Sequence, residues 1–211
     1  QIKEIEVAGR KLSLETGRVA KQAGGSVWAR YGDTVVLAAA CGATKPKPGF
    51  DFFPLTVDYR EKTYAAGKIP GGFFKREGKA RDGETLTARL IDRPLRPLFP
   101  EGFKNEVQIQ ILVLSHDKEN DPGILSMIAA SAALNLSEIP FGGVVSAVSV
   151  GKVEGKLTIN PTQAQMAQSS LDLVVAGTDE SIMMVEGEAG QMPEEEILEA
   201  LGLAHAEIKK L

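Results

Sequence analysis

The sequence is poor in the residues that usually announce chemistry. Cys41 is the only cysteine, so no disulfide can form within the chain. The two histidines, His116 and His205, stand far from Cys41 and from each other, which leaves no zinc-ligand spacing. Positive charge is not in surplus either. The formal net charge is −4, which excludes a chain that binds nucleic acid over its whole surface and confines any phosphate contact to a local cluster. No apolar run approaches a membrane span, and the first residues show no cationic segment leading into an apolar stretch. A cytoplasmic protein with no membrane partner is the expectation. Cys41 closes the apolar run of residues 35–41 and reads as a small buried thiol, the usual place of a free cysteine.

What is present suits an ordinary folded domain. At 211 residues and 43% hydrophobic composition, the chain can bury a full core without a disulfide or a structural metal. Short alternating stretches at residues 2–7 and 11–14 flank Ala8-Gly9, and residues 26–31 and 34–40 flank Gly32-Asp33, two strand–turn–strand signals. Residues 52–59 read as a strand with Pro54 near its start. Further strands are expected at 107–114, 144–150, 157–159, 171–176 and 182–185. A helix is expected after Asp82 as its N-cap, with Leu86 and Leu90 toward the core, ended by Pro94 and Pro97. Asp121-Pro122 opens a small-residue helix over 124–136. Glu194, Glu195 and Glu196 start a last helix, and Lys209-Lys210 close it. Strands in hairpin-like runs with few helices between them point to an α+β fold in one domain, not to a doubly wound sheet.

The pattern breaks down between Arg60 and Gly83, where Gly67, Gly71, Gly72, Gly78 and Pro70 mark a long loop of the kind that often carries function. At its centre Phe73 and Phe74 adjoin Lys75 and Arg76. Adjacent aromatics beside cations suit single-stranded nucleic acid, because rings stack on any base and cations neutralise the phosphates between them. The alternative, a Phe tucked into the core as an anchor for a solvated loop, stays open on these grounds. In the helix that follows, Arg89, Arg93 and Arg96 are four and three residues apart and share one face while the helix lasts. Such a face can hold oxyanions, since the guanidinium fork matches phosphate geometry. Ion pairing to Glu84, Asp92 or Glu101 is the competing use of these arginines.

Several strings carry a family likeness. They include Phe52-Phe53-Pro54-Leu55-Thr56-Val57, then Tyr64-Ala65-Ala66-Gly67-Lys68-Ile69-Pro70-Gly71 and Phe73-Phe74-Lys75-Arg76-Glu77-Gly78. Arg89-Leu90-Ile91-Asp92-Arg93-Pro94-Leu95-Arg96-Pro97-Leu98-Phe99-Pro100 follows, and further along come Asn160-Pro161-Thr162-Gln163 and Leu171-Asp172-Leu173-Val174-Val175-Ala176-Gly177-Thr178. Across nearly its whole length the chain resembles the N-terminal half of the bacterial polynucleotide phosphorylases, their first RNase PH-type domain. The resemblance implies an α+β RNase PH-type fold with mixed sheets and packed helices. It implies 3′–5′ phosphorolysis of RNA to nucleoside diphosphates in mRNA degradation, and a homotrimeric ring of six such domains around an RNA channel. Mg²⁺ would be bound by the second domain, and the RNA-degradation machinery would be a further partner. It also implies that the chain is part of a longer polypeptide, with second RNase PH-type, KH and S1 domains elsewhere. Carried over residue by residue, it gives RNA-gripping roles to Phe73, Phe74, Lys75 and Arg76, and places Arg89 and Arg93 along the path to the active site.

Two departures from the family's catalytic second domain bear on chemistry. Where that domain has Gly-Ser-Ser-Ser-Met at a helix start, this chain has Gly123-Ile124-Leu125-Ser126-Met127, so two phosphate-binding hydroxyls are missing. Where it has two aspartates before a Val-Ala-Gly strand, counting back from Asp172 gives Ala164 and Ser170. Neither a catalytic residue nor a metal ligand is therefore expected here, and the domain alone is expected to be inactive. Two other functions compete: a stand-alone, non-catalytic RNA-binding ring subunit of an exosome-like assembly, and a domain binding an anionic metabolite through its arginines.

Overall fold

The structure, a computed structural model, describes residues 1–211 and shows the expected α+β class. The first sheet contains β1 (Ile2–Val7), β2 (Arg10–Glu15), β3 (Gly25–Tyr31), β4 (Thr34–Pro46), β5 (Leu55–Glu61) and β6 (Asn105–Ser115), in the order β1-β2-β3-β4-β6-β5. Ala8 and Gly9, with φ of 48° and 73°, make the tight left-handed turn that sets Val7 opposite Arg10. Neighbours are antiparallel except β5 and β6, which are parallel. Parallel strands cannot be joined by a tight turn and need a long crossover. That crossover holds both the glycine-rich loop and α1 (Asp82–Leu95), so the topology itself sets the candidate residues at one end of the sheet.

After α2 (Pro122–Asn135), the second sheet forms from β7 (Ser146–Val153), β8 (Lys156–Ile159), β9 (Leu171–Gly177) and β10 (Ile182–Ala189). Its order is β10-β9-β7-β8, all antiparallel. A one-turn helix, α3 (Gln163–Met166), separates β8 from β9, and α4 (Glu194–Ile208) covers β7, β8 and β9. Between the sheets lies α2, apolar on every side, as a helix must be when both faces are covered. It packs on β3 and β4 from one side and on β7 from the other. The approach to β3 is close enough that a Cβ on Gly25 would stand 2.1 Å from the carbonyl oxygen of Ala133. Just before α2, the Asp117 carboxylate accepts from the N–H groups of Asp33, Glu119 and Asn120, the Thr34 hydroxyl and the Asn120 side-chain amide. Desolvation alone would raise its pKa. These donors outweigh it and hold the carboxyl far below the usual aspartate value.

Several local expectations fail for identifiable reasons. Cys41 is exposed, not buried. Val36, Ala38 and Ala40 face the core of β4 and Cys41 falls in the opposite phase, so the period of two overrides the apolar run. The strand expected at 52–59 starts at Leu55 and runs to Glu61. The N-cap of α1 is Arg81, one residue earlier than Asp82, and Glu84 at N3 reaches back to its N–H at 2.7 Å. Pro94 does not end α1. It lies in the last turn, where one absent N–H costs little, and the helix reaches Leu95 before a 3₁₀ turn at Arg96–Leu98. Leu86 faces solvent, because the buried stripe of α1 is Glu84, Ile91, Pro94 and Leu95.

Candidate nucleic-acid interface

The crossover leaves β5 through a 3₁₀ turn at Thr63–Ala66 and then projects the aromatic pair outward. Phe73 is 95% exposed and Phe74 72%, so neither anchors the loop to the core. Their rings meet edge to face with centroids 5.6 Å apart. Gly72 and Lys75, with φ of 76° and 48°, bracket the pair and turn the chain back on itself. Lys75 adopts a left-handed conformation that a side chain with a Cβ enters only at some cost. Neither Lys75 nor Arg76 makes an ion pair, although both are exposed.

Beside the loop runs a polar cleft of about 640 Å³. Its cations are Arg60, Lys62, Lys68, Arg76, Lys79 and Arg81, and its acids Asp58, Glu61, Glu77 and Glu84. Arg60 pairs with Asp58, while Arg81 pairs with Glu61 and Glu84. Lys62, Lys68, Arg76 and Lys79 have no ion-pair partner, which leaves the cleft with free positive charge for phosphates. Local spacing gives no individual role to Lys62, Lys68 or Lys79. All three lie in a visible cationic stretch, but only the crossover brings Lys62 and Lys79 to one cleft.

The three arginines of the α1 face have separate fates. Glu84, 6% exposed, fixes the start of α1 by accepting from the Glu61 N–H at 2.9 Å as well as from Arg81. Burial would raise its pKa, but the Arg81 and Glu61 N–H groups and the Arg81 guanidinium together lower it. With Glu84 thus occupied, Arg89 points outward without a partner. Arg93 pairs with Glu186 on β10, an acid 93 residues away that no local spacing could reveal. Both side chains are about half exposed, and such a pair contributes little and exchanges readily. Arg96 is committed to the fold. It donates to both oxygens of Asp92 and to the carbonyls of Phe53 and Leu55, at 2.9 to 3.3 Å. Its guanidinium also lies over the Phe53 ring. The expected three-arginine face therefore reduces to Arg89 and Arg93, and of the competing uses only the Asp92 pairing occurs.

The N-terminal end of α2 is built differently. Asp121 caps it by accepting from the Gly123 N–H at 2.7 Å, and Ile124 and Leu125 are core residues. The Ser126 hydroxyl is buried and donates to the Pro122 carbonyl at 2.6 Å. Asp121 itself has its pKa raised, chiefly by burial. On β9, Asp172 stands opposite Glu188 of β10, and its carboxyl is raised by desolvation and then by that neighbour. Ala164 lies in α3 and Ser170 just before β9, and neither offers a carboxylate. A hard dication needs several converging oxygen ligands. With one facing acid pair and no third acid, histidine or cysteine converging on it, this donor set does not fit Mg²⁺.

Comparison with known proteins agrees with this architecture. Residues 8–140 match the model of the 3′ exoribonuclease family, domain 1, and residues 143–207 match domain 2 of the same family. The chain is similar to the polyribonucleotide nucleotidyltransferase of Acidiphilium cryptum, 62% identical over 97% of this chain and 28% of the relative. It is likewise similar to that of Heliobacterium modesticaldum, 58% identical over 100% of this chain and 30% of the relative. It thus spans under a third of the length of these relatives. Among solved structures, rice (Oryza sativa) Rrp46 superposes with a TM-score of 0.74 at 17% identity, covering 94% of this chain and 89% of that one. A chain of an archaeal exosome core gives 0.70 at 19% identity, covering 95% and 84%. No helix is long and apolar enough to cross a membrane. With both of its domain models matched in order and the RNase PH-type fold shared, the chain belongs to the 3′ exoribonuclease family.

Proposed function

We propose that residues 1–211 act as one RNase PH-type domain, the first of a phosphorolytic 3′–5′ exoribonuclease, and that this half holds RNA and builds the ring while the chemistry lies elsewhere in the polypeptide. The observation that carries the reading is the outward Phe73–Phe74 pair, flanked by the unpaired Lys75 and Arg76. Bases stack on the two rings, and phosphates between them meet Lys75, Arg76 and the free lysines of the cleft. Arg89, and Arg93 once released from Glu186, hold further phosphates. All three parts lie on one crossover, so a strand gripped by the loop is handed toward α1. The identity to polyribonucleotide nucleotidyltransferases supports the reaction, with RNA and phosphate giving nucleoside diphosphates. The likeness to Rrp46 and the exosome core supports a ring, here a homotrimer. Mg²⁺ would supply Lewis-acid chemistry in the second RNase PH-type domain, not through residues of this chain. The cytoplasm is the compartment and the RNA-degradation machinery the wider partner in this reading.

A stand-alone ring subunit is the second reading, favoured by one observation: the fold superposes on rice Rrp46 with a TM-score of 0.74. The mass of the native polypeptide separates the two. The proposed division of labour is tested by supplying RNA, phosphate and Mg²⁺ to this chain and to the longer polypeptide. Phosphate-dependent release of nucleoside diphosphates is expected only from the longer one, and Asp172→Asn should leave that release nearly unchanged. Release that follows the 211-residue chain and falls with Asp172→Asn would overturn it.

A further inference from the structure

The two limbs of the aromatic loop are fastened very unequally. The incoming limb is held to the first sheet and closed on itself. The Lys62 N–H donates to the Val113 carbonyl at 3.3 Å, the His116 N–H to the Ala65 carbonyl at 3.1 Å, and the Lys68 N–H to the Thr63 carbonyl at 3.2 Å. From residue 69 to residue 80 no backbone group makes a hydrogen bond to another backbone group. Within that span one side chain is bonded, Glu77. Its Oε1 accepts from the Thr63 N–H at 2.8 Å and its Oε2 from the Thr63 hydroxyl at 3.1 Å.

We infer that Glu77 is a positioning residue for RNA, a latch that closes the loop from Thr63 to Glu77 and holds the Phe73–Phe74 pair in place before a strand arrives. The inference rests on the RNA-holding role proposed above for those rings. One carboxylate meeting a backbone N–H and a hydroxyl of the same residue fixes direction as well as distance. The Thr63 N–H also holds the Glu77 carboxyl below the usual carboxylate range, so the latch stays charged at neutral pH. Without it, the outgoing limb would keep no polar tie between the 3₁₀ turn and Arg81, and RNA binding would have to order the glycine-rich tip. Ordering a binding element in advance removes that cost from the binding step.

The sign of the effect distinguishes a latch from a bystander. Glu77 is an acid in a stretch that otherwise carries Lys62, Lys68, Lys75, Arg76 and Lys79. If it were only a charge, removing it would strengthen RNA binding, because phosphate affinity rises with net positive charge. A latch predicts the reverse. Binding of a labelled oligoadenylate to the full polypeptide at fixed salt should weaken about two- to fivefold in Glu77→Ala, as the competent population falls. Glu77→Gln keeps an acceptor for the Thr63 N–H, so it should bind at least as tightly as the parent. In a Phe73→Ala/Phe74→Ala background, Glu77→Ala should cost nothing further, since the latch acts through the rings. Trypsin should cut after Lys75, Arg76 and Lys79 faster in Glu77→Ala, with the melting temperature unchanged. Should that variant fold poorly, Glu77→Asp, too short to reach both Thr63 groups, should move affinity and cleavage the same way. Equal or tighter binding in Glu77→Ala, or an equal loss with the rings removed, overturns the latch. Unchanged binding in the Phe73→Ala/Phe74→Ala protein itself overturns the RNA-holding role instead, and trypsin cleavage then decides the latch alone.

Discussion

The loop at residues 62–79 and the N-terminal end of α2 are both places where a chain of this fold can meet phosphate, and they are built in opposite ways. In the loop, Phe73 and Phe74 face solvent and five cations, Lys62, Lys68, Lys75, Arg76 and Lys79, have no ion-pair partner. At α2 the side chains are used: Asp121 caps the helix, Ser126 bonds to Pro122, and Ile124 and Leu125 fill the core between the sheets. Unused donors and exposed rings are free to act on another molecule, whereas satisfied ones hold the fold. A helix start lined with hydroxyls could bind an anion. The same helix start lined with aliphatic side chains joins the two sheets.

Three experiments sharpen that contrast. The largest effect is expected from putting hydroxyls back at the closed end, with Ile124→Ser and Leu125→Ser together. Each replaces a buried aliphatic side chain by a smaller polar one at a cost of about 2–5 kcal/mol, so urea unfolding should shift strongly. If the double variant keeps its stability, that end is not the packed joint described here. Next comes Asp117→Ala beside α2, which leaves several donors unsatisfied and should cost about 2 kcal/mol at pH 7. Because the folded Asp117 pKa is depressed, its stabilisation is complete above the ordinary aspartate value and is lost as pH falls toward the folded one. The gap between parent and variant should therefore close in acid, and a constant gap would remove the carboxylate from the account. The smallest effect belongs to the open end. Arg89→Ala should leave stability unchanged, weaken RNA binding about equally across sequences, and make the salt slope of log K shallower by roughly 1. A change in base preference with an unaltered salt slope would contradict a phosphate contact.

What the sequence disclosed followed the range of each interaction. The α+β class, both hairpin turns, the capped start of α2 and the aromatic loop were legible because they depend on neighbours a few residues apart. The outward direction of Phe73 and Phe74 was implied only by the family resemblance, since a loop Phe has the same local pattern whether it turns in or out. Arg96 also misled: its spacing matched Arg89 and Arg93, but the carbonyls that take its donors belong to Phe53 and Leu55, brought near by β5. Glu186 and the Lys62–Lys79 cleft likewise depend on the crossover and on the second sheet meeting α1. Cys41 failed for a simpler reason: an apolar run hides the alternation that decides which residues face the core.

The open end is tested most directly by the equilibrium affinity of this chain for a labelled oligoadenylate, beside that of Phe73→Ala/Phe74→Ala, with both melting temperatures recorded at the same salt. Each lost stack is worth about 1–3 kcal/mol, so binding should weaken at least about tenfold while the melting temperature stays put. Equal affinity, or a loss of affinity matched by a loss of stability, would contradict the claim that these two rings exist to hold RNA.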